Sequence, residues 1–485
     1  MLFNSIEFLI FFPVVVGLYF ACPYRYRWAL LLAASYYFYA AWKLEYIFIL
    51  LASTLISYLT AILMVRPESQ AQRTTLLVIG LCSNLGILFA FKYFNFFNDT
   101  LRTAFNQFNL FYNVPMFQVL LPVGISFYTF QTVGYIIDVY RGKLEPERHL
   151  GRFALFASFF PQLLAGPISR AGHLLPQFYE KFDFDEARVS SGLRLMLWGM
   201  FQKVVIADRL GLYVNSVYNN PSDWEGWPVF LATFFFAFQI FCDFSGYSDI
   251  AIGAARVMGF NLMENFRRPY FAQSPSEFWQ RWHISLSSWF RDYLYIPLGG
   301  NRVSIPRWYF NLMIVFLVSG LWHGAAWTFV VWGGLHGLYV VGDVATKNFR
   351  GRLAHKLGLD ERPITRAVLS GFITFNLVCL AWVFFRANSI ADAFLLLNNL
   401  APLTNFADLN APWVGLVNNP AQEMALSIGL ILLLEIVHLL QAQQWRIPVF
   451  WQRPFWFRWA LYLGLALAIM NLGISEEVPF IYLQF

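Results

Sequence analysis

The sequence predicts an all-α polytopic membrane protein, and three observations support this fold class. Of the 485 residues, 58% are hydrophobic and only 13% are charged, whereas soluble domains carry roughly 25% charged residues. Apolar runs long enough for a helix to cross the roughly 30 Å hydrocarbon layer of a bilayer recur along the chain. No internal repeat or low-complexity linker separates these runs, so we expect a single membrane-embedded domain over residues 1–485.

These runs predict eleven to twelve transmembrane helices. In chain order the candidate spans are 3–21, 28–42, 46–64, 75–94, 118–140, 192–215, 228–253, 308–326, 327–346, 367–386, 423–441 and 457–473. A shorter apolar stretch, 153–168, is interrupted by Pro161 and Pro167, which predicts a re-entrant segment. The first run has neither a basic region before it nor a small-residue cleavage site, so we expect it to stay as a span.

The distribution of basic residues predicts the orientation. Residues 347–366 contain six Lys or Arg, whereas residues 387–445 contain none. Because cytoplasmic loops carry an excess of Lys and Arg, the first segment is expected inside and the second outside. Residues 255–307 hold seven arginines against three acidic residues and form a basic inner face. The net charge of +6 is thus explained by topology, and no nucleic-acid partner is expected.

The inner segment 277–297 has helical polar periodicity. Its polar stripe consists of Arg281, Ser285, Ser288 and Asp292. Apolar residues follow a neighbouring stripe, which predicts one amphipathic helix lying at the membrane interface. His283 falls away from the polar stripe, toward the bilayer or the helix bundle. Spacing alone leaves two interpretations open, a functional histidine or an interfacial one satisfied by a backbone carbonyl.

His323 interrupts an almost unbroken apolar run from Trp308 to Val341. An ionisable side chain inside a membrane segment is costly and is by default a functional hypothesis. A neutral imidazole can accept the proton of a hydroxyl whose oxygen then attacks an activated acyl carbon, so His323 is a candidate general base. Trp327, four residues on, is expected on the same helical face as a cavity wall, and His336 is a weaker candidate base.

Other chemistries have weaker support. The four cysteines are scattered and no HExxH motif occurs, so no metal site is expected. No G-x-S-x-G motif suggests a serine hydrolase. A proton-coupled exporter of polysaccharide or lipid is the alternative from another class, with Glu435/His438 and Asp243/Asp249 as its relay. For Glu435 and His438 we favour a structural contact between helices. For Asp243 and Asp249 we favour a structural pairing with arginine.

Longer strings carry a family resemblance. EFWQRWHISLSSWFRDYLYIPLGG, followed by SGLWHGAAW, resembles the membrane-bound O-acyltransferase (MBOAT) family in its bacterial branch. LPVGISFYTFQTVGYIIDVYRG, FFPQLLAGPISR and FCDFSGYSDIAIG are similar to the same branch, so the core motifs cover about 120–345. The resemblance implies the MBOAT fold, in which transmembrane, re-entrant and interfacial helices surround a central funnel. It also places the family's catalytic histidine at His323 and its second characteristic polar position at His283.

The resemblance further implies an O-acyltransferase subunit of the bacterial inner membrane. It would take acetyl from a cytoplasmic thioester, with acetyl-CoA as donor and no bound cofactor, for O-acetylation of an exported polysaccharide. Alginate is the favoured acceptor, and cellulose or another exopolysaccharide is the alternative. Membrane lipid and periplasmic acetyltransferase proteins of an export complex are the expected partners. The basic inner face suits an anionic donor, which makes Arg281, Arg291 and Arg152 the candidate donor-binding residues.

Overall fold

The computed structural model describes residues 1–117, 121–400, 406–442, 454–474, 478 and 480–481. Within these ranges the regular structure is helical and no β-strand occurs. The α-helices of these ranges, in chain order, are α1 (Ile6–Ala21), α2 (Tyr24–Ala40), α3 (Tyr46–Met64), α4 (Gln70–Leu88), α5 (Phe94–Gln107), α6 (Ile125–Tyr140), α7 (Leu150–Ser158), α8 (Ala171–Leu174), α9 (Glu186–Met200), α10 (Asp208–Tyr218), α11 (Trp227–Met258), α12 (Pro275–Arg281), α13 (Ile284–Phe290), α14 (Ile305–His323), α15 (Trp327–Ala345), α16 (Lys347–Lys356), α17 (Pro363–Arg386), α18 (Ile390–Asn399), α19 (Pro420–Ala442) and α20 (Phe455–Leu472).

Short π-helical and 3₁₀ segments join or extend several of these helices. The π segments are Phe89–Tyr93, Phe201–Ala207 and Arg291–Tyr295, and the 3₁₀ segments are Pro176–Tyr179, Pro269–Phe271, Leu359–Glu361 and Phe406–Trp413. Because π segments keep the chain helical while shifting its register, α4 and α5 form one long rod, and α9 continues into α10.

Eight helices in the described part are long and apolar enough to cross a membrane. They are Tyr46–Met64, Gln70–Gln107, Trp227–Met258, Ile305–His323, Trp327–Ala345, Pro363–Arg386, Pro420–Ala442 and Phe455–Leu472. The other four expected spans are also helical: they coincide with α1, α2, α6 and α9–α10. The first three of the latter group are only 16 to 17 residues long, so their crossing of the bilayer stays a prediction. Residues 118–120, at the start of the fifth expected span, lie outside the described residues.

The described residues form two compact units. The first comprises Met1–Leu195 and Ile250–Glu264, and the second comprises Met196–Asp249 and Asn265–Ile481. The expectation of one membrane-embedded domain over the whole chain stays a prediction.

In the first unit, the stretch 153–168 has the interrupted form that its prolines predict. Helix α7 ends at Ser158, and residues 159–169 are non-helical yet fully buried. Buried backbone groups outside a helix need other partners, and here the Phe160 N–H donates to Ser35 Oγ at 3.1 Å. Its re-entry into a bilayer stays a prediction.

In the second unit, α14 and α15 form a hairpin whose backbones touch. A Cβ placed on Gly320 would lie 2.3 Å from the carbonyl oxygen of Phe329, and one on Gly333 would lie 2.3 Å from that of Phe316. Only glycine therefore fits at these two positions. The close approach brings the C-terminal end of α14 against α15, where His323 is located.

The prediction of one continuous helix over 277–297 is wrong. Helix α12 ends at Arg281, and α13 begins only at Ile284. Between them, His283 adopts a left-handed backbone with φ of 44°. The physical reason is a pair of hydrogen bonds to the preceding segment: Arg267 N donates to the carbonyl of Arg281, and Ile284 N to that of Asn265, both at 2.9 Å. These bonds replace the helical ones that the break removes.

Candidate active site

The helix break and the hairpin bring two predicted histidines together. His283, between α12 and α13, and His323, at the end of α14, have ring centroids 6.4 Å apart. His283 is fully buried, and His323 is 3% exposed. Forty residues separate them in the sequence, so the contact is a product of the fold.

The hydrogen bond of His323 determines which of its ring nitrogens is basic. His323 Nδ1 lies 2.6 Å from the backbone carbonyl oxygen of Ser319, one helical turn earlier. A carbonyl oxygen can only accept, so Nδ1 carries the proton and donates it. In the neutral ring the lone pair is then on Nε2, which is the nitrogen able to take a proton from a substrate.

His283 has the same tautomer, for an independent reason. Its Nδ1 lies 3.0 Å from Asn265 Oδ1. The backbone N–H of Ser285 also donates to that Asn265 atom at 3.3 Å, which identifies the atom as the amide oxygen, because a backbone N–H cannot accept. Burial, and then the neighbouring His323, hold the pKa of His283 well below its ordinary value. His283 is thus neutral, with Nδ1 protonated and Nε2 basic.

His336 has the opposite tautomer. The indole Nε1–H of Trp279 donates to His336 Nδ1 at 3.2 Å. An indole nitrogen only donates, so Nδ1 of His336 is an acceptor and its proton is on Nε2. The ring of Trp332 lies between the two histidines of the hairpin, 4.7 Å from His323 and 5.0 Å from His336. His336 is therefore close to the site but presents a donor, which supports the preference for His323 as the base.

Aromatic rings enclose His323. The ring centroids of Trp322, Trp332 and Phe385 lie 5.0, 4.7 and 5.8 Å from that of the histidine. The prediction that Trp327 forms a wall is wrong, since Trp327 starts the next helix and is 52% exposed. The chain turns between His323 and Trp327, so helical spacing does not apply across them. Trp332, one turn and a half into α15, occupies the predicted place.

A cavity of about 430 Å³ lies beside the hairpin, between α12–α13 and α14–α15. Its lining includes Trp279, Leu286, Phe290, Phe316, Ser319 and Arg291. Neither His283 nor His323 lines this cavity, but Ser319 does, and its carbonyl accepts the hydrogen bond of His323. Arg291 is the one charged residue in this lining among the described residues. The cavity is suited to a mostly apolar chain with an anionic end.

The three candidate donor-binding arginines have different surroundings. Arg291 lines the cavity, is largely exposed, and pairs with Asp292 at 2.8 Å. Arg281 pairs with Glu277 one turn earlier in α12, two residues before His283. Arg152 belongs to the first unit, where its guanidinium lies 3.7 Å from the ring centroid of Tyr179. Donor binding by any of them stays a prediction.

A second buried polar cluster occupies the same unit as the histidines. Lys203 Nζ lies 2.8 Å from Asp208 Oδ1 and 2.7 Å from Asp243 Oδ1, and all three side chains are buried. Asp243 Oδ2 also accepts the backbone N–H of Ile481 at 2.8 Å. The expectation of arginine pairing for Asp243 is wrong, because Lys203, an isolated charge in an apolar stretch, is its partner. We call Lys203, Asp208 and Asp243 the lysine cluster.

The remaining relay candidates also have partners. Asp249 accepts a hydrogen bond from Gln202 at 2.8 Å. Glu435 and His438 form an i, i+3 pair at 3.4 Å on α19. His438 packs against the ring of Phe241 at 5.4 Å. These contacts favour the structural interpretation over a proton relay.

Two residues that matter for this geometry were not predicted from the sequence. Asn265 lies in the connection after α11, where no motif or periodicity distinguishes one asparagine from another. Lys203 could have been found, because a lysine flanked by GMFQ and VVIA is as exceptional in a membrane segment as His323.

Comparisons with known proteins agree with the architecture. A family model for MBOAT, the membrane-bound O-acyltransferase family, matches residues 148–390. The matched range includes both central histidines and Asn265.

Similar proteins cover most of the chain. A probable alginate O-acetylase AlgI from Azotobacter vinelandii is 39% identical over 444 residues, which are 90% of this chain and 84% of that protein. A protein of the same description from Pseudomonas putida is 42% identical over 397 residues, 80% of this chain and 78% of that protein. A peptidoglycan O-acetyltransferase from Helicobacter pylori is 34% identical over 405 residues, 77% of this chain and 73% of that protein.

Proposed function

Because this chain belongs to the membrane-bound O-acyltransferase family, and is therefore an O-acyltransferase with multiple membrane helices, we propose that it moves acetyl groups for the O-acetylation of an exported polysaccharide. Relatives described as alginate O-acetylases support alginate as the acceptor. The relative that acts on peptidoglycan shows that acceptors differ among similar chains, so cellulose or another exopolysaccharide is the alternative.

His323 is the proposed general base. Its Nε2 takes the proton of the acceptor hydroxyl while that oxygen bonds to the thioester carbonyl carbon. The carbon–sulfur bond then breaks, and the departing thiolate takes the proton from the imidazolium, which restores neutral His323. The observation that carries this role is the 2.6 Å hydrogen bond from Nδ1 to the Ser319 carbonyl, which makes Nε2 the basic nitrogen.

His283 is proposed to position donor or acceptor beside the base. Its Nε2 is basic for the reason given above, and its ring centroid is 6.4 Å from that of His323, so a group bound by His283 lies beside the proposed base. Correct placement of the reacting groups can lower an activation barrier by several kcal/mol. We therefore expect the loss of His283 to reduce transfer, less severely than the loss of His323.

Acetyl-CoA is the proposed donor, reaching the site from the cytoplasm. The 430 Å³ cavity has space for the thioester end of such a chain, and Arg291 is suited to an anionic part of it. The excess of basic residues in segment 255–307 supports an inner location for this face, because cytoplasmic loops are enriched in Lys and Arg. We propose the bacterial inner membrane as the location and periplasmic acetyltransferases of an export complex as the partners that complete the modification.

The test is replacement of His323 by Ala in cells that secrete the polymer. General-base loss predicts a fall of about 100-fold or more in acetyl esters of the secreted polymer, with unchanged polymer yield and unchanged protein in the membrane. His355→Ala is the matched control, because that histidine is exposed and pairs with Asp360 on the protein surface. Acetylation that survives His323→Ala would overturn the assignment, and a loss of secretion instead of acetylation would favour an exporter.

A further inference from the structure

We propose that Asn265 is a positioning residue that holds His283 in the tautomer required for acyl transfer. The proposal rests on the proposed function in one respect: it takes His283 to serve that reaction. Asn265 does not touch the reacting atoms, and it acts through the imidazole.

The oxygen of Asn265 is an acceptor for three donors. His283 Nδ1 lies 3.0 Å away, the Ser285 hydroxyl 2.9 Å away, and the Ser285 backbone N–H 3.3 Å away. Asn265 is 1% exposed and Ser285 fully buried. Because the N–H of Ser285 needs an acceptor, the amide cannot turn its NH₂ group toward His283 without placing donor against donor.

The other end of the amide is also fixed. Asn265 Nδ2 donates to Ser248 Oγ at 3.2 Å, and Ser248 lies on α11, one turn after Phe244. The ring of Phe244 meets that of His283 edge to face, with centroids 4.7 Å apart. One face of α11 thus holds both the amide and the imidazole, so neither can rotate independently.

Without the amide oxygen the tautomer of His283 would be undetermined. Neutral histidine in water populates both tautomers, and the partner at one nitrogen decides which nitrogen stays basic. If the proton moved to Nε2, the ring would present a donor where it now presents an acceptor. That is the state of His336, whose Nδ1 accepts from Trp279. The site therefore depends on two histidines of one tautomer beside a third of the other.

Solid-state NMR of the full-length protein in lipid, labelled with ¹⁵N-histidine, tests the tautomer directly. The His283 signals, identified by their absence from His283→Asn, are expected to show a protonated Nδ1 and an unprotonated Nε2. In Asn265→Leu, which has the same branched shape but no acceptor, we expect a mixture or the reversed tautomer. In Asn265→Asp, which keeps an acceptor oxygen, Nδ1 is expected to stay protonated. A wild-type His283 protonated on Nε2 alone overturns the proposal without any variant.

Acetylation of the secreted polymer tests the consequence. A wrong tautomer predicts a loss of about 10- to 100-fold in Asn265→Leu, with most of the activity restored in Asn265→Asp. Asn220→Leu, the same substitution at an exposed asparagine outside the site, is the matched control and is expected to stay within about twofold of the wild type. Normal acetylation in Asn265→Leu, or lost acetylation with an unchanged His283 tautomer, overturns the positioning role.

The two hypotheses fail separately. If His323→Ala leaves acetylation intact, the proposed function is wrong, and the NMR measurement still decides what Asn265 does to His283. If His323→Ala abolishes acetylation while Asn265→Leu changes neither the tautomer nor acetylation, only the role of Asn265 is wrong.

Discussion

The histidine site and the lysine cluster are both buried polar groups in an apolar chain, but they satisfy burial in different ways. In the lysine cluster, one cation is placed between two carboxylates at 2.7 and 2.8 Å. In the histidine site, His283 and His323 each donate one N–H to a neutral oxygen, at 3.0 and 2.6 Å. The first arrangement compensates full charges, whereas the second orients rings.

From this difference we expect a structural role for the lysine cluster and, under the proposed function, a chemical role for the histidine site. Transferring an ion from water into the protein interior costs free energy, so buried ions occur with opposite charges beside them. Charges that are paired in this way interact only weakly with a substrate. A neutral imidazole costs less to bury, and a hydrogen bond at Nδ1 makes Nε2 the basic atom. Substitutions in the lysine cluster should therefore change stability, and substitutions in the histidine site should change acetylation first.

Replacing Lys203 by Met is expected to have the largest effect on stability. The substitution leaves Asp208 and Asp243 buried without their cation, and breaking a buried pair by removing one partner costs about 3–5 kcal/mol. The thermal unfolding temperature in detergent should fall sharply, together with the amount of folded protein in the membrane.

Lys181→Met is the control, since Lys181 pairs with Asp183 on the surface and exposed pairs contribute about 1 kcal/mol or less. If Lys203→Met were as stable as the control but had lost acetylation, the lysine cluster would belong to the chemistry and the comparison would fail.

Asp243→Asn is expected to have a smaller effect. Lys203 keeps Asp208 as its counter-ion, and the asparagine oxygen can still accept the N–H of Ile481. We expect a destabilisation of about 1–2 kcal/mol from the weakened hydrogen bonds, measured by the same thermal unfolding. Acetylation per folded molecule should be unchanged. A complete loss of acetylation in a stable Asp243→Asn protein would instead support a proton relay through this carboxylate.

The smallest effect is that of acidification by one pH unit. The pKa of His283 is held well below its ordinary value of about 6.5 by burial and by His323, so the unfolded chain takes up a proton there before the folded chain does. This contribution to stability is fully present above about pH 6.5 and declines as the pH falls below it, by at most about 1.4 kcal/mol per pH unit.

The measurement compares thermal unfolding at several pH values in the wild type and in His283→Asn. Asparagine tolerates the left-handed backbone of this position, so the variant removes the titrating group without new backbone strain. The variant should lose less stability on acidification than the wild type. Identical pH dependence in both proteins would show that His283 does not titrate in this way.

The sequence predicted the helices well because their signal is local. The runs at 308–326 and 327–346 correspond to α14 and α15 within a few residues, since hydrophobic length is itself the requirement for crossing a bilayer. The sequence did not reveal where a π segment shifts the helical register. The run at 75–94 is part of a longer helical rod, from Gln70 to Gln107, that includes such a segment.

The site was predicted only in part, because its geometry depends on partners distant in sequence. His323 and His283 were proposed as site residues from a polar exception in an apolar run and from family resemblance, and their roles stay predictions. The helix break at His283 was missed because the polar periodicity of 277–297 continues across it, while the hydrogen bonds that cause the break come from Asn265 and Arg267. The tautomers depend on single atoms of Ser319, Asn265 and Trp279, which no spacing rule identifies.

The glycine crossing of α14 and α15 has a consequence for motion. At Gly320 and Gly333 the two backbones meet with no side chain between them, so the crossing has no rotamer to change and cannot open by small steps. The hairpin is therefore the rigid wall of the cavity beside it. The facing wall, where α13 contributes Leu286 and Phe290, is built of side chains that do have rotamers to change.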